Sequence, residues 1–188
     1  MTHEDRTVVA YHGCTVDTAR RLSIEKEPFR KSERAYEWLG RGIYFWEYGP
    51  DRALRWGEEQ IRRRKHSDTA AVVGARIQLG RCFDLLDTRY TRDLSSAYPV
   101  WLAAHAEKGV PVPENRGKLK YLDCAVINWY LDGLEDMGTE HEFDTVRCSF
   151  REGDPVYPGA DIYHETHIQI AVRNPACIRE VFGPRINP

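Results

Sequence analysis

Three short groups of residues in this chain carry side chains suited to binding or chemistry. A Tyr-His-Gly triplet places His12 and Gly13 after an apolar run, Tyr44 lies in a Gly-Ile-Tyr-Phe segment, and Gln169 lies in an apolar run near the C-terminus. Histidine can donate or accept a hydrogen bond, glycine lets main chain come close to a ligand, and tyrosine offers an aromatic face. Each of these residue types is common in protein cores, so only their joint occurrence in one cleft would indicate a functional site.

The elements that must position these side chains are short strands. The β-branched, apolar run Thr7–Tyr11 predicts a buried strand that delivers His12 at its end. The segment Gly42–Phe45 predicts a second strand. A third is predicted over His167–Arg173, where strand alternation puts histidine and Gln169 on one face and isoleucine and valine on the other. Because the second face is apolar, we expect the face with Gln169 to meet the cleft.

Apolar spacing and capping residues predict helices after Thr15, from Pro50, over Pro99–Ala106 and over Lys118–Leu131. Further strands are predicted over Val72–Leu79, Cys82–Leu86, Thr145–Phe150 and Ile178–Phe182. Strands near both ends with helices between them indicate an α+β domain, because alternating βαβ units are missing from the pattern. We expect a single domain over residues 1–188, with a helical insertion at about 95–142.

The triplet Tyr11–Gly13, the segment Trp38–Phe45 and the run His167–Ile178 resemble, in this order, the three motifs of ADP-ribosyltransferases of the diphtheria toxin and poly(ADP-ribose) polymerase type. That family uses a His, Tyr, Glu triad. The matching residues here are His12, Tyr44 and Gln169, so an amide stands where the family has a carboxylate. The resemblance implies a split β-sheet core around a cleft that binds NAD, the ADP-ribose donor.

The resemblance also implies a role for each matching residue. His12 would hydrogen-bond a ribose hydroxyl, Gly13 would bring main chain to the nicotinamide carboxamide, and Tyr44 would stack on the nicotinamide ring. Gln169 would orient a ribose hydroxyl, although an amide stabilises a developing cation less well than a carboxylate does. Polymer synthesis is therefore not expected, whereas transfer of a single ADP-ribose is.

Three further assignments depend on position near these motifs. Glu165, four residues before Gln169, is a rival for the third motif position. Arg41 lies between two glycines beside Tyr44 and is a candidate phosphate ligand, or else faces solvent. Ser32 lies in the loop between the first two motifs, where contacts to adenosine are sterically reasonable.

Composition narrows the class of protein. The chain has 41% hydrophobic and 30% charged residues and a formal net charge of −2, values typical of a globular protein with no global attraction to nucleic acid or lipid. Its five cysteines are scattered without a Cys-x-x-Cys pair, which argues against a disulfide framework and a zinc site. No run has the length of a membrane span. We expect a cytoplasmic protein without a metal.

The function that the resemblance implies is NAD-dependent mono-ADP-ribosyl transfer to a macromolecular acceptor, protein or nucleic acid, with release of nicotinamide. The small size resembles bacterial toxin modules, which by analogy predicts an inhibitory, antitoxin-like partner protein. Two alternatives stay open. One is an NAD glycohydrolase, in which water replaces the acceptor, and the other is a module that binds NAD or ADP-ribose without turnover.

Overall fold

A seven-stranded mixed sheet forms the centre of the computed structural model, which describes residues 6–64, 67–138 and 142–185. The strands are β1 (Thr7–Thr15), β2 (Ile43–Glu47), β3 (Ala70–Gln78), β4 (Cys82–Asp84), β5 (Asn115–Arg116), β6 (Leu119–Lys120), β7 (Thr145–Phe150), β8 (His167–Val172) and β9 (Ile178–Arg185). The order in the sheet is β4-β7-β8-β2-β1-β3-β9, with β5 and β6 in a separate hairpin. The β4–β7 pair is parallel and the other pairs are antiparallel.

The helices in the described part of the chain are α1 (Val16–Ser23), α2 (Pro50–Arg64), α3 (Thr88–Glu107) and α4 (Tyr121–Glu135). The predicted start of α1 is confirmed, since the Thr15 side chain accepts a hydrogen bond from the amide of Thr18. The predicted start of α2 at Pro50 is confirmed as well. Together with the sheet, these helices confirm the prediction of an α+β protein.

The first strand is longer than predicted. Because β3 pairs with β1 at all nine positions from Thr7 to Thr15, the strand continues through the triplet, and His12 lies inside it instead of at its end. The prediction for this boundary was wrong because glycine has weak strand propensity, which pairing along the whole of β3 overrides. The apolar half of β1, with Val8 and Ala10, is buried in the main core.

A gap opens on the other side of β1. The register of β1 and β2 holds only two residue pairs, Ala10 with Glu47 and Tyr11 with Trp46. Beyond Tyr11 the strands separate, so the segment His12–Thr15 of β1 faces the start of β2 across an opening that we call the notch. The loop before β2 extends one side of the notch. In this loop the backbones of Ser32 and Gly42 exchange hydrogen bonds of 2.8 and 3.1 Å.

The strand that carries Gln169 lies inside the sheet, between β2 and β7. Ile170 and Val172 point into the main core, as the alternation predicts. Gln169 lies on the opposite face and is paired with Trp46 of β2 and Cys148 of β7. Its predicted orientation away from the apolar core is therefore confirmed.

The helical region differs from its predicted bounds. Helix α3 begins at Thr88, eleven residues before Pro99, because the side chain of Asp87 caps it by accepting from the amide of Arg89. Residues Leu119 and Lys120, predicted as helix, pair in the hairpin instead. Helix α4 packs its Ile127 and Leu131 against a second core cluster beside the sheet. The predicted insertion at about 95–142 includes residues 139–141, which lie outside the described residues, as do the chain ends of the predicted domain.

Candidate functional site

A cavity of about 920 Å³ lies at the notch. This volume is near the upper end of the range for small-molecule and cofactor sites. The walls come from the end of β1, from α1, from the loop of residues 30–38, from α2 and from the inner strands. Five of the predicted site residues line this cavity: His12, Gly13, Ser32, Tyr44 and Gln169. Residues separated by more than 150 positions in the sequence thus share one cavity.

His12 has a defined protonation state in this site. Its Nδ1 lies 2.8 Å from the backbone oxygen of Tyr44. A carbonyl oxygen only accepts, so Nδ1 carries the proton, and the Nε2 of the neutral ring has a free lone pair. Burial lowers the pKa of His12, and the hydrogen bond to Tyr44 opposes that shift. The rings of Phe29 and Phe45, with centroids 5.4 and 5.6 Å from that of His12, hold the imidazole in place.

Gly13 turns its main-chain groups to the notch. The amide of Tyr48 donates to the oxygen of Val9 over 3.1 Å, so the peptide groups of Val9 face β2. Because alternate residues of a strand direct their peptide groups to the same side, those of Tyr11 and Gly13 also face β2. Pairing with β2 ends at Tyr11, which leaves the N–H and C=O of Gly13 directed into the notch.

Glycine is required at position 13 for a reason different from the predicted one, which was the close approach of main chain to a ligand. A Cβ on Gly13 would lie 1.8 Å from the backbone oxygen of Ala53 and 3.1 Å from the backbone nitrogen of Gly57, both in α2. Glycine is therefore needed for the close packing of strand on helix, behind the notch. This packing holds the main chain of Gly13 at the cavity wall.

The ring of Tyr44 is locked by its hydroxyl group. The hydroxyl donates to the oxygen of Gly40 over 2.6 Å and accepts from the amide of Leu39 over 2.9 Å. Burial raises the pKa of Tyr44 well above its ordinary value, with the Glu37 carboxylate adding to the shift. The phenol therefore stays neutral, and the part of Tyr44 left for a ligand is the ring.

Gln169 is 5% exposed and has one hydrogen-bond partner in the described part of the chain, the Nε2 of His167 at 3.0 Å. Its rival Glu165 has a different position. The Glu165 carboxylate lies 3.2 Å from Arg55 and 3.9 Å from Arg52, and this residue is not part of the cavity lining. The geometry therefore favours Gln169 for contact with a ligand in the cavity.

The two remaining predicted ligands lie in different surroundings. The Arg41 guanidinium pairs with Asp132 of α4, and Arg41 is not among the lining residues. Ser32 does line the cavity, where its hydroxyl donates to the buried carboxylate of Glu37. Burial raises the pKa of Glu37, opposed by that hydrogen bond and by Arg34.

Sequence reasoning missed a set of buried donors in the same wall. Trp46 Nε1, Arg52 Nε and Nη1, and Gln60 Nε2 are buried without a hydrogen-bond partner in the described structure, and all three residues line the cavity. A buried donor without an acceptor is costly, so these atoms suit a ligand rich in acceptor oxygens. The signal in the sequence was the spacing of four in α2, which puts Arg52, Trp56, Gln60 and Arg64 on one stripe.

The cavity wall is also positive. Among the described lining residues, seven are basic and four acidic: Arg21, Arg30, Lys31, Arg34, Arg52, Arg64 and Lys118 against Asp17, Glu33, Glu37 and Asp68. A chain with a net charge of −2 thus concentrates positive charge around this cavity. Such a surface favours anionic ligands such as phosphates.

Other chemistries have less support in the described residues. Burial raises the pKa of the Cys14 thiol to about 12, so this cysteine beside His12 is not an activated nucleophile. The described residues contain no group of three or more His, Cys, Asp or Glu side chains placed to hold a metal ion. Among the helices described, none has the length and apolarity to cross a bilayer.

Comparisons of the chain with protein-family models, with curated proteins and with solved structures found no match.

Proposed function

We propose that this chain is an NAD-dependent mono-ADP-ribosyltransferase with an ADP-ribosyltransferase-like fold, which moves one ADP-ribose from NAD to a macromolecular acceptor and releases nicotinamide. The observation that carries the proposal is the convergence of His12, Gly13, Tyr44 and Gln169 on one cavity at a split in the sheet. These are the residues at which the sequence resembles that family of enzymes.

The nicotinamide end of NAD fits the notch by its chemistry. A primary carboxamide has an N–H donor and a C=O acceptor, which complement the C=O and N–H that Gly13 directs into the notch. The locked ring of Tyr44 offers a face for the pyridinium ring. The free Nε2 lone pair of His12 can accept a hydrogen bond from a ribose hydroxyl.

The remainder of the cavity suits the other half of the dinucleotide. The pyrophosphate carries negative charge and several acceptor oxygens, which match the positive wall and the unpartnered donors of Arg52 and Gln60. Ser32 and Arg30 lie in the wall formed by the loop between the first two motifs. We assign the adenosine to this wall.

In the proposed reaction, the bond between ribose C1′ and the nicotinamide nitrogen breaks, and its electron pair goes to the ring nitrogen, which leaves neutral nicotinamide. The ribose becomes an oxocarbenium-like cation, as in glycoside hydrolysis. An acceptor nucleophile then forms a bond to C1′ and loses a proton. The acceptor is a protein or a nucleic acid. If the enzyme is of the toxin type, an inhibitory partner protein would regulate its activity.

The test is to incubate the full chain with NAD labelled on its adenylate phosphate and with lysate separated into protein, RNA and DNA fractions, following label and nicotinamide together. Label in one fraction with stoichiometric nicotinamide supports the proposal and identifies the acceptor class. Free ADP-ribose with no labelled macromolecule would show a glycohydrolase instead. Binding of NAD without nicotinamide release would show a binding module. The variant His105→Ala, on the remote helix α3, serves as the control that retains activity.

A further inference from the structure

The Gln169 amide belongs to a short chain of hydrogen bonds. The backbone oxygen of Glu165 lies 2.7 Å from His167 Nδ1, and His167 Nε2 lies 3.0 Å from Gln169 Nε2. A carbonyl oxygen only accepts, so Nδ1 of His167 carries the proton of the neutral ring. Its Nε2 is then an acceptor, and the N–H of Gln169 donates to it.

This arrangement determines which end of the amide is free. With its nitrogen directed to His167, Gln169 has its Oε1 oriented away, and no other hydrogen bond of Gln169 occurs within the described residues. Gln169 lines the cavity. A ligand there meets an oxygen that only accepts.

His167 is held firmly enough to impose this orientation. It is 9% exposed and lies among the rings of Trp38, Trp46 and Phe150, with centroids 6.3, 6.5 and 5.9 Å from its own. The charged groups that face it are Arg52 of α2, Glu152 after β7 and Glu165 before β8. Glu152 lies 3.8 Å from Nδ1 and pairs with Arg52 at 2.5 Å.

These surroundings keep His167 neutral. Burial is the largest influence and lowers the pKa of His167, and Arg52 lowers it further. The Glu165 carbonyl and the carboxylates of Glu152 and Glu165 oppose this shift. The net direction is downward, which preserves the lone pair on Nε2 at neutral pH.

We propose that His167 is a positioning residue that holds the nitrogen of the Gln169 amide and so turns Oε1 toward the cavity, where the amide offers the ribose of the donor substrate the same kind of oxygen that a carboxylate would. The inference rests on the proposed function and explains how an amide serves at the third motif position. It also explains why glutamate is absent there, since a carboxylate beside the Nε2 lone pair would be repelled unless His167 took up a proton.

Substitutions separate this role from packing. In His167→Phe the aromatic contacts remain, but the amide loses its acceptor and can turn its NH2 group to the ligand, so we expect nicotinamide release to fall about tenfold. In His167→Gln an amide oxygen can replace Nε2, and we expect activity within about threefold of the parent chain. The exposed neighbour His164, changed to Phe, is the matched control and should have no effect.

The experiment combines ¹⁵N NMR with these assays on the full chain. We expect His167 to show the Nδ1–H tautomer and a scalar coupling between its Nε2 and Gln169 Nε2, measured without any substrate. A missing coupling, or equal nicotinamide release by His167→Phe and the parent chain, overturns the positioning role. If the coupling is present but the parent chain neither binds NAD nor releases nicotinamide, the proposed function fails and the role fails with it, while the hydrogen bond stands.

Discussion

The two sides of strand β1 show how one element serves both the core and the site. On the β3 side, β1 is paired at nine positions, and on the β2 side at two. Full pairing consumes the backbone donors and acceptors of a strand, whereas an unpaired stretch leaves them for a ligand. Under the proposed function, the notch is a binding surface made of main chain, and the β3 side supplies the rigidity it needs.

The same contrast holds for side chains along β1. Val8 and Ala10, at the paired end, are buried in the main core, while His12 and Gly13, beside the notch, line the cavity. A strand anchored along its whole length on one side can leave the other side open without fraying. Rigid support of this kind is what a preorganised site requires.

The substitution with the largest expected effect acts on the support behind the notch. In Gly13→Ala the new Cβ would meet the backbone oxygen of Ala53 at 1.8 Å, and backbone cannot move aside as a flexible side chain can. We expect a loss of about 3 kcal/mol or more in the free energy of unfolding, measured with urea. The control is Gly133→Ala in α4, where a Cβ meets nothing within 4 Å and a gain of about 0.5–1 kcal/mol is expected. Equal stability of the two variants would contradict the packing described for Gly13.

The second prediction concerns the notch itself. His12→Ala removes the Nε2 acceptor, and we expect nicotinamide release to fall about 100-fold.

Tyr44→Phe keeps the ring but leaves the buried amide of Leu39 without its acceptor, so it should cost about 1–2 kcal/mol of unfolding free energy while retaining most activity. Steady-state assays with urea unfolding of each variant check both statements. Activity lost in Tyr44→Phe at unchanged stability would show that the hydroxyl, and not the ring, contacts the substrate.

The third prediction decides between the two residues considered for the third motif position. Gln169 lines the cavity, so Gln169→Ala should lower nicotinamide release about tenfold. Glu165 is not a lining residue and its carboxylate pairs with Arg52 and Arg55, so Glu165→Ala should change activity little and cost at most about 1 kcal/mol of stability. The reverse order of effects on nicotinamide release would assign the position to Glu165.

The fourth prediction is a pH dependence of stability. Burial lowers the pKa of both His12 and His167 below the ordinary value of 6.5. The unfolded chain therefore binds more protons than the folded chain in the range below about 6.5, so the free energy of unfolding should decrease as the pH falls through that range and level off below the folded-state values. Urea unfolding at about pH 7.5 and about pH 5.5 measures this slope. A His12→Gln variant should flatten it, and an unchanged slope in both His12→Gln and His167→Gln would contradict the assignment.

Local patterns were sufficient for several elements. The Thr15 cap, the start of α2 at Pro50 and the alternation that places Gln169 opposite Ile170 all depend on neighbours in sequence. Patterns failed where pairing partners are distant. The continuation of β1 through Gly13 is imposed by β3, and helix α3 begins at a cap that the apolar spacing did not reveal.

The sequence by itself determined the α+β composition, the strand and helix types, and the residue types from which a site of this chemistry can be built. Only the tertiary structure decided which of those residues meet: Gln169 lines the cavity, whereas Glu165 and Arg41 form ion pairs and do not line it. It also decided that Arg52 and Gln60 carry unpartnered donors in the wall. The physical reason is that helix and strand periodicities follow from local sterics, while a cavity, a buried donor and a protonation state depend on atoms that the fold brings together from distant parts of the chain.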